Sequence, residues 1–506
     1  MNSKTTLRKI KKVLIANRGE IAVRIMETCR LMGIKTVSLY HLEEKELPHS
    51  LLGDESVCLG EGSLHETYLN GEKIVEVALA KGADAIHPGY GFLSENADFS
   101  KRVRDAGILF IGPQAETMTL MGDKTESKKA MEKLRVPIIP GYHGDNQDDS
   151  FLREEAQKIG YPLLIKASAG GGGKGMRVVY EDDLFFESLE SARREAHNAF
   201  GNDKVLIEKY IENPRHIEVQ VLSSCHGEHF HLFERECSIQ RRHQKIIEES
   251  PSPALKDDLR LEMCKVAVQI TEGIQYEGAG TIEYILDEDG SFYFLEMNTR
   301  LQVEHPITEM VTGVDLVKSQ IEVAEGRSLS FKQSDLEQKG HAIEARVYAE
   351  NPDQDFLPSV GDIVTVGNPK GSGVRFDCGY QDGNTVSIKY DPMLAKLICW
   401  AEDRETAISK IKMSLEQVLF AGLKTNRQYL QRILDLEDFE KGITFTHFIP
   451  KHSEDLKDKG PTSNELALAI AAHFLCSEKG QSSSSQEYGP RVDRASWDLL
   501  SNFRNS

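Results

Sequence analysis

The chain has 506 residues, 40% hydrophobic and 28% charged, which excludes a disordered or fibrous protein. At that length about three domains are expected. The formal net charge of −19 argues against general nucleic-acid binding, so any anionic substrate must be held by a local cluster of basic groups.

The opening predicts a βαβ unit. Residues 11–16 form an apolar strand, Asn17-Arg18-Gly19 a turn, and Glu20 to Met32 a helix. Ile21, Ile25 and Cys29 share one helix face, and Gly33 follows as its C-terminal cap. Strands are expected at Ile34 to Leu39, 83–89 and 108–113, with helical patterns between them, so this part reads as a parallel α/β layer. Its first turn lacks the Gly-x-Gly-x-x-Gly spacing of a dinucleotide site.

From about Lys124 to Ile207 the pattern is mixed and contains one glycine-rich loop. From about His216 to Asn298 four alternating segments predict an antiparallel sheet with one face toward a core and one toward a site. Beyond Gly340 come further short strands and a helix from Glu405 to about Phe420. Ser482 to Ser485 have linker composition.

No apolar run approaches the roughly 18 residues of a membrane helix. The basic N-terminus leads into too short an apolar stretch for a signal peptide, although a transit peptide stays open. The 8 cysteines include no Cys-x-x-Cys pair and read as reduced thiols. The expectation is a cytoplasmic enzyme without membrane or nucleic-acid partners.

Four segments carry chemistry. In the first, Lys166 to Met176, five glycines beside two lysines follow an apolar strand. Backbone N–H groups there can close on phosphate oxygens, although a plain flexible turn has the same composition. The spacing is not that of a Walker A loop.

The second is a hairpin, Gly280 to Asn298, with Asp289-Gly290 at its turn. A two- or four-residue turn sets Glu283 opposite or diagonal to Glu296, about 5–8 Å away. Carboxylates so close repel unless a hard cation such as Mg²⁺ or Mn²⁺ lies between them. A three-residue turn would break that pairing, and a solvated acidic face is the competing reading.

Third, from Glu296 to Pro306 every second residue is long and polar. If extended, the segment projects Glu296, Asn298, Arg300, Gln302 and Glu304 to one side. Fourth, Arg241-Arg242-His243-Gln244-Lys245 concentrates positive charge, as either a solvated face or an anion cradle.

These segments, with Ala16 to Ala22 and His87 to Asn96, resemble the biotin carboxylases of biotin-dependent carboxylases, over about Lys11 to Phe448. The resemblance implies an ATP-grasp fold of mixed α/β and α+β class: an N-terminal parallel α/β domain (1–122), an ATP-grasp domain with a glycine-rich lid (123–338, lid about 138–210), a C-terminal β-rich domain (339–450) and a tail or linker (451–506). It implies that bicarbonate attacks ATP to form carboxyphosphate, whose CO₂ then carboxylates biotin.

By the same resemblance, Lys124, Lys166, Glu208, Lys209, His216 and His243 are nucleotide or active-site contacts, and Gly171 and Gly172 cap the phosphates. Glu283, Glu296 and Asn298 match the metal ligands. Lys245, Arg300, Gln302 and Val303 match the bicarbonate pocket, Glu304 the base, Arg346 the group that stabilises the biotin enolate, and Tyr90 a residue lining the biotin site.

The strings PGYHGDNQ, NPDQDFLPSVG and KYDPMLAKL are more similar to acyl-CoA carboxylase α-subunits, the methylcrotonyl type in particular. No Ala-Met-Lys-Met biotinylation sequence occurs. Biotin is therefore expected on a separate carrier protein, with a carboxyltransferase subunit as further partner and a homodimer or larger complex as the assembly. The alternatives are another ATP-grasp carbon–nitrogen ligase with a different acceptor, or a non-catalytic nucleotide-binding subunit.

Overall fold

The computed structural model describes residues 7–167, 176–242 and 244–460. The chain divides into two compact units, residues 1–456 and 457–506, and every element below belongs to the first. The serine-rich stretch 482–485 lies outside the described residues.

The N-terminal layer is a parallel sheet of five strands: β1 (Lys12–Ile15), β2 (Lys35–Tyr40), β3 (Glu55–Cys58), β4 (Ala85–His87) and β5 (Leu109–Phe110), in the order β3-β2-β1-β4-β5. Helix α1 (Gly19–Leu31) buries Ile21, Ile25 and Cys29 and ends at Met32. Gly33 then adopts φ 69°, the left-handed conformation that a glycine tolerates after a helix. The expected βαβ unit is present, with boundaries shifted by a residue or two.

A four-stranded antiparallel sheet follows: β6 (Gly141–Tyr142), β7 (Leu163–Ala167), β8 (Met176–Val179) and β9 (Val205–Lys209). Helix α2 (Lys124–Lys133) precedes it.

The centre is an antiparallel sheet of eight strands. Its members are β10 (Arg215–Ser223), β11 (His229–Arg241), β12 (Gln244–Ser250), β13 (Gly278–Leu286), β14 (Phe292–Asn298), β15 (His341–Tyr348), β16 (Val374–Cys378) and β17 (Met393–Ala401), in the order β14-β13-β10-β11-β12-β15-β17-β16. Residues directly paired across strands point to the same face. Glu296, Glu283, Glu218 and Arg235 are successive neighbours across β14, β13, β10 and β11. Arg346, Lys396 and Asp377 are successive neighbours across β15, β17 and β16. The alternate residues Ile217, Val219, Ile282 and Tyr284 pack in an apolar core with Met263, Cys264 and Ala267 of helix α3 (Asp257–Gly273). Alternation with a period of two thus supplies a buried core on one face and a charged row on the other.

Two expectations are corrected. The row from Glu296 to Pro306 is not extended throughout. Strand β14 ends at Asn298, a bend follows, and helix α4 (His305–Thr312) begins after Glu304, with Pro306 in its first turn. Leu301 is wholly buried at the bend, so a hydrophobic anchor rather than strand alternation fixes the path there. The helix expected to reach Phe420 is α5 (Arg404–Gln417); Leu419–Ala421 pair as a short strand with Thr365–Gly367.

Candidate active site

The hairpin β13–β14 turns in three residues. The Asp287 N–H donates to the Ser291 carbonyl, and Gly290 has φ 88°. Alone, this turn would set Glu283 against Leu295. Leu286, Ile285 and Tyr284 do pair with Phe292, Tyr293 and Phe294, in the register that turn dictates. A one-residue bulge then leaves Leu295 unpaired and 37% exposed, and Glu283 falls directly opposite Glu296. The carboxylate pair exists despite the turn, because the bulge restores it.

Glu283 is buried and heavily partnered. It accepts from the Lys245 ammonium at 2.9 Å and from the Asn298 and Gln302 amides, each at 2.9 Å, while His216 Nε2 lies 3.1 Å away. Burial pushes its pKa up, but Lys245 and His216 outweigh that and hold it far below the carboxylate range. Glu296 is the opposite case. It is exposed, burial of its carboxyl and the charge of Glu283 raise its pKa, and the Lys124 charge opposes them. Two facing acids, one of them without a hydrogen-bonded cation among the described residues, plus an amide oxygen on Asn298, form a hard-oxygen donor set that suits Mg²⁺ or Mn²⁺. His216, Glu218 and Glu283 also bring ligand atoms within 4.8 Å of one another.

Lys245 is the hub. Its ammonium donates to Glu218 (2.6 Å), Glu283 (2.9 Å) and Glu304 (2.6 Å). Burial disfavours the charge, yet these three carboxylates hold the lysine protonated, its pKa well above the ordinary value. Arg235, wholly buried, supports the hub from behind by donating to Glu218, Gln220, Thr308, Thr281 and Gln302.

Glu304 sits at the start of α4 with both oxygens occupied: Lys245 holds Oε1, and Arg346 holds Oε2 at 2.9 Å. Burial raises its pKa, but Lys245 and Arg346 together overcome this and hold it well below normal. Arg346 is itself fixed by Glu248, whose carboxyl accepts from Nε at 2.5 Å. Arg300, on the bend, donates to Glu95 (2.9 Å) and to the Asn298 amide oxygen (2.8 Å), so it faces the acid pair.

A second cluster surrounds Glu208 on β9. Lys166 of β7 and Lys128 of α2 both bond its carboxylate, and although burial opposes ionisation they bring its pKa down to about 2. Lys209, the next residue, points to the other side of the strand, where its ammonium donates to the Tyr161 carbonyl at 3.0 Å. Lys124 is the first residue of α2. Tyr90 donates its phenol proton to Glu20. The Val303 carbonyl accepts from Lys396 at 2.9 Å. Gly171, Gly172 and His243 lie outside the described residues.

The structure thus joins Lys245, Glu283, Glu296, Asn298, Arg300, Gln302, Glu304, Arg346 and His216 in one cluster, and Lys166 with Glu208 in another. Sequence reading missed Glu218, Arg235, Glu248 and Lys128. The alternation of HIEVQV puts Glu218 and Gln220 on the face of His216, a usable signal for the first. Arg235 lies beside bulges in β11, and Glu248 lies on β12, whose register shifts by one residue between Lys245 and Ile247.

Family models match three successive segments. "Biotin carboxylase, N-terminal domain" covers residues 9–118, "Carbamoyl-phosphate synthase L chain, ATP binding domain" 123–332, and "Biotin carboxylase C-terminal domain" 344–451. The chain is 47% identical over its whole length to the mitochondrial methylcrotonoyl-CoA carboxylase subunit alpha of Dictyostelium discoideum, covering 72% of that protein. It is 49% identical to the biotin carboxylase of Haemophilus influenzae over 87% of this chain and 98% of that one. Among solved structures, the biotin carboxylase domain dimer of Hydrogenobacter thermophilus 2-oxoglutarate carboxylase, in complex with MgADP, ADP and bicarbonate, is similar at TM-score 0.82 and 44% identity. That likeness covers 90% of this chain and 100% of that domain.

Proposed function

The chain belongs to the biotin carboxylase family, and from that premise we propose that the Lys245 cluster carries out the ATP- and bicarbonate-dependent carboxylation of biotin. The enzyme is an ATP-dependent ligase that performs the first half-reaction of an acyl-CoA carboxylase. The observation that carries the site assignment is Glu304, whose two oxygens are divided between Lys245, which also reaches Glu283, and Arg346.

Glu283, Glu296 and Asn298 would hold Mg²⁺ or Mn²⁺, which when bound neutralises phosphate charge. Phosphoryl transfer needs alignment and charge neutralisation more than covalent help. Lys124, Lys166, Glu208, Lys209, His216 and His243 are proposed to hold the nucleotide, with Gly171 and Gly172 over its phosphates. Lys245, Arg300, Gln302 and Val303 hold bicarbonate. Glu304 takes its proton while an oxygen attacks the γ-phosphorus and the bond to ADP breaks. The carboxyphosphate so formed releases CO₂ and phosphate. Biotin, beside Tyr90, gives its ureido N–H proton to the released phosphate, its enolate charge falls to Arg346, and the nitrogen attacks CO₂.

The other ATP-grasp reading draws on the carbamoyl-phosphate synthase description of the middle segment, but the flanking segments match biotin carboxylase and the latter supplies Arg346. Biotin presented by a carrier, a carboxyltransferase subunit of methylcrotonyl type, assembly as a homodimer or larger complex, and a cytoplasmic location complete the proposal. Among the described residues no helix is long and apolar enough to cross a membrane.

Glu304→Gln tests it. Bicarbonate-dependent ATP cleavage accelerated by free biotin should fall about 10²-fold or more, with nucleotide affinity nearly unchanged. Unaltered acceleration, or a requirement for ammonia in the wild type, would overturn the reading.

A further inference from the structure

Lys396 lies on β17 directly opposite Arg346 and is wholly buried. A buried ammonium persists only where partners compensate its lost hydration. Its partners come from three separate parts of the chain. The ammonium donates to the Val303 carbonyl at 2.9 Å, lies 3.2 Å from Glu20 of α1 and 3.8 Å from Asp377 of β16. It also sits 5.9 Å from the centre of the Tyr90 ring, whose hydroxyl donates to the same Glu20. From the other side, the Asn17 amide bonds the Pro88 and Tyr90 carbonyls, each at 2.7 Å, so the Tyr90 backbone is held as well.

Two lines of bonds therefore start at one nitrogen. The first ends on the backbone of Val303, between Gln302 and Glu304, whose side chains belong to the Lys245–Arg235 cluster. The second runs through Glu20 to the Tyr90 hydroxyl. We infer that Lys396 is a positioning residue that sets the bicarbonate-side bend and Tyr90 relative to each other, with Glu20 as its intermediary on the Tyr90 side. The inference rests on the biotin carboxylase reading above. A fold-only role would concern the Asp377 contact, which joins two neighbouring strands of the sheet; the other contacts reach beyond it to the two places where the substrates meet.

Steady-state kinetics on the full chain decide it, with ATP, bicarbonate and free biotin varied separately. Because displacements near 1 Å can cost about 10²-fold, Lys396→Met is expected to raise the KM for bicarbonate and for biotin by about tenfold or more, leaving the KM for ATP within about twofold. Lys396→Arg should recover part of both losses. Glu20→Gln should raise the biotin KM alone, and combined with Tyr90→Phe it should cost no more than Tyr90→Phe by itself. If Lys396→Met does not fold, the Glu20 and Tyr90 variants carry the test. An ATP KM that rises as much as the others, or additive losses for Glu20→Gln and Tyr90→Phe, overturns the inference. A wild-type enzyme that biotin does not stimulate overturns the functional reading instead.

Discussion

Glu344 stands on β15 opposite Glu248, wholly buried, with neither carboxyl oxygen hydrogen-bonded. Burial drives its pKa well above normal, Lys396 opposes this and Glu248 adds to it; Glu248 itself is raised to about 7, by burial first and against the charge of Arg346. Arg346 thus has one acid in front, Glu304, kept ionised by two cations, and a pair behind that binds protons readily. Three glutamates within one cluster are separated by surroundings rather than by chemistry. The sign of the linkage follows. A carboxyl whose folded pKa exceeds its unfolded value costs nothing below the unfolded pKa and lowers stability as pH rises from there toward the folded pKa. Glu344→Gln has no proton to lose. Its thermal midpoint should match the wild type near pH 4, below the unfolded pKa, and exceed it at pH 8, by a margin equivalent to about 1 kcal/mol or more. Equal midpoints at both values would show that Glu344 ionises freely in the folded protein.

At the scale of elements, the hairpin β13–β14 shows what patterning conveys and what it omits. The alternation of Gly280 to Asn298 announces both strands, and Asp289-Gly290 announces the turn. The turn length is not readable from that dipeptide, and the bulge at Leu295 has no sequence mark, since a leucine between two strand residues looks like any core position. Glu283 and Glu296 meet because a three-residue turn and a one-residue bulge offset each other. Deleting Leu295 should remove the bulge and let the turn register run on, so that Glu296 follows Phe294 directly and still faces Glu283. Magnesium-dependent ATP cleavage should stay within about tenfold of wild type, and circular dichroism should stay near wild type because Leu295 is not part of the core. A loss of about 10²-fold or more would mean that the bulge itself, and not only the pairing, positions Glu296. The residues beyond Asn298 teach the same lesson. Alternation identified the right side chains, but the structure gathers Gln302 and Glu304 by a bend around buried Leu301 and the start of α4, which only tertiary packing fixes. Hairpin and row were legible because each concentrates unusual residue types; Arg235, buried by neighbours far apart in sequence, was not.

For the whole molecule, the decisive feature is that β15, β17 and β16, from the segment proposed as a C-terminal domain, complete the sheet begun by β10 to β14. The family models break between residues 332 and 344, yet β12 pairs with β15 through Ile247 to Ser250 and Ala342 to Ala345, all buried. Severing there would expose the edge of β12, an unpaired row of N–H and C=O groups that invites aggregation. It would also strip Arg346 from Glu248 and Glu304, leaving buried carboxylates uncompensated at a cost of about 3–5 kcal/mol for each broken pair. A fragment of residues 1–338 should therefore be insoluble or bind nucleotide without cooperative unfolding, whereas residues 1–456, the compact unit, should unfold cooperatively. The comparison needs only expression, sedimentation and a melting curve in the presence of MgATP. A soluble 1–338 fragment with a sharp transition raised by nucleotide would show that the ATP-binding half stands alone, and that Arg346 was added to a finished site rather than built into one sheet with it.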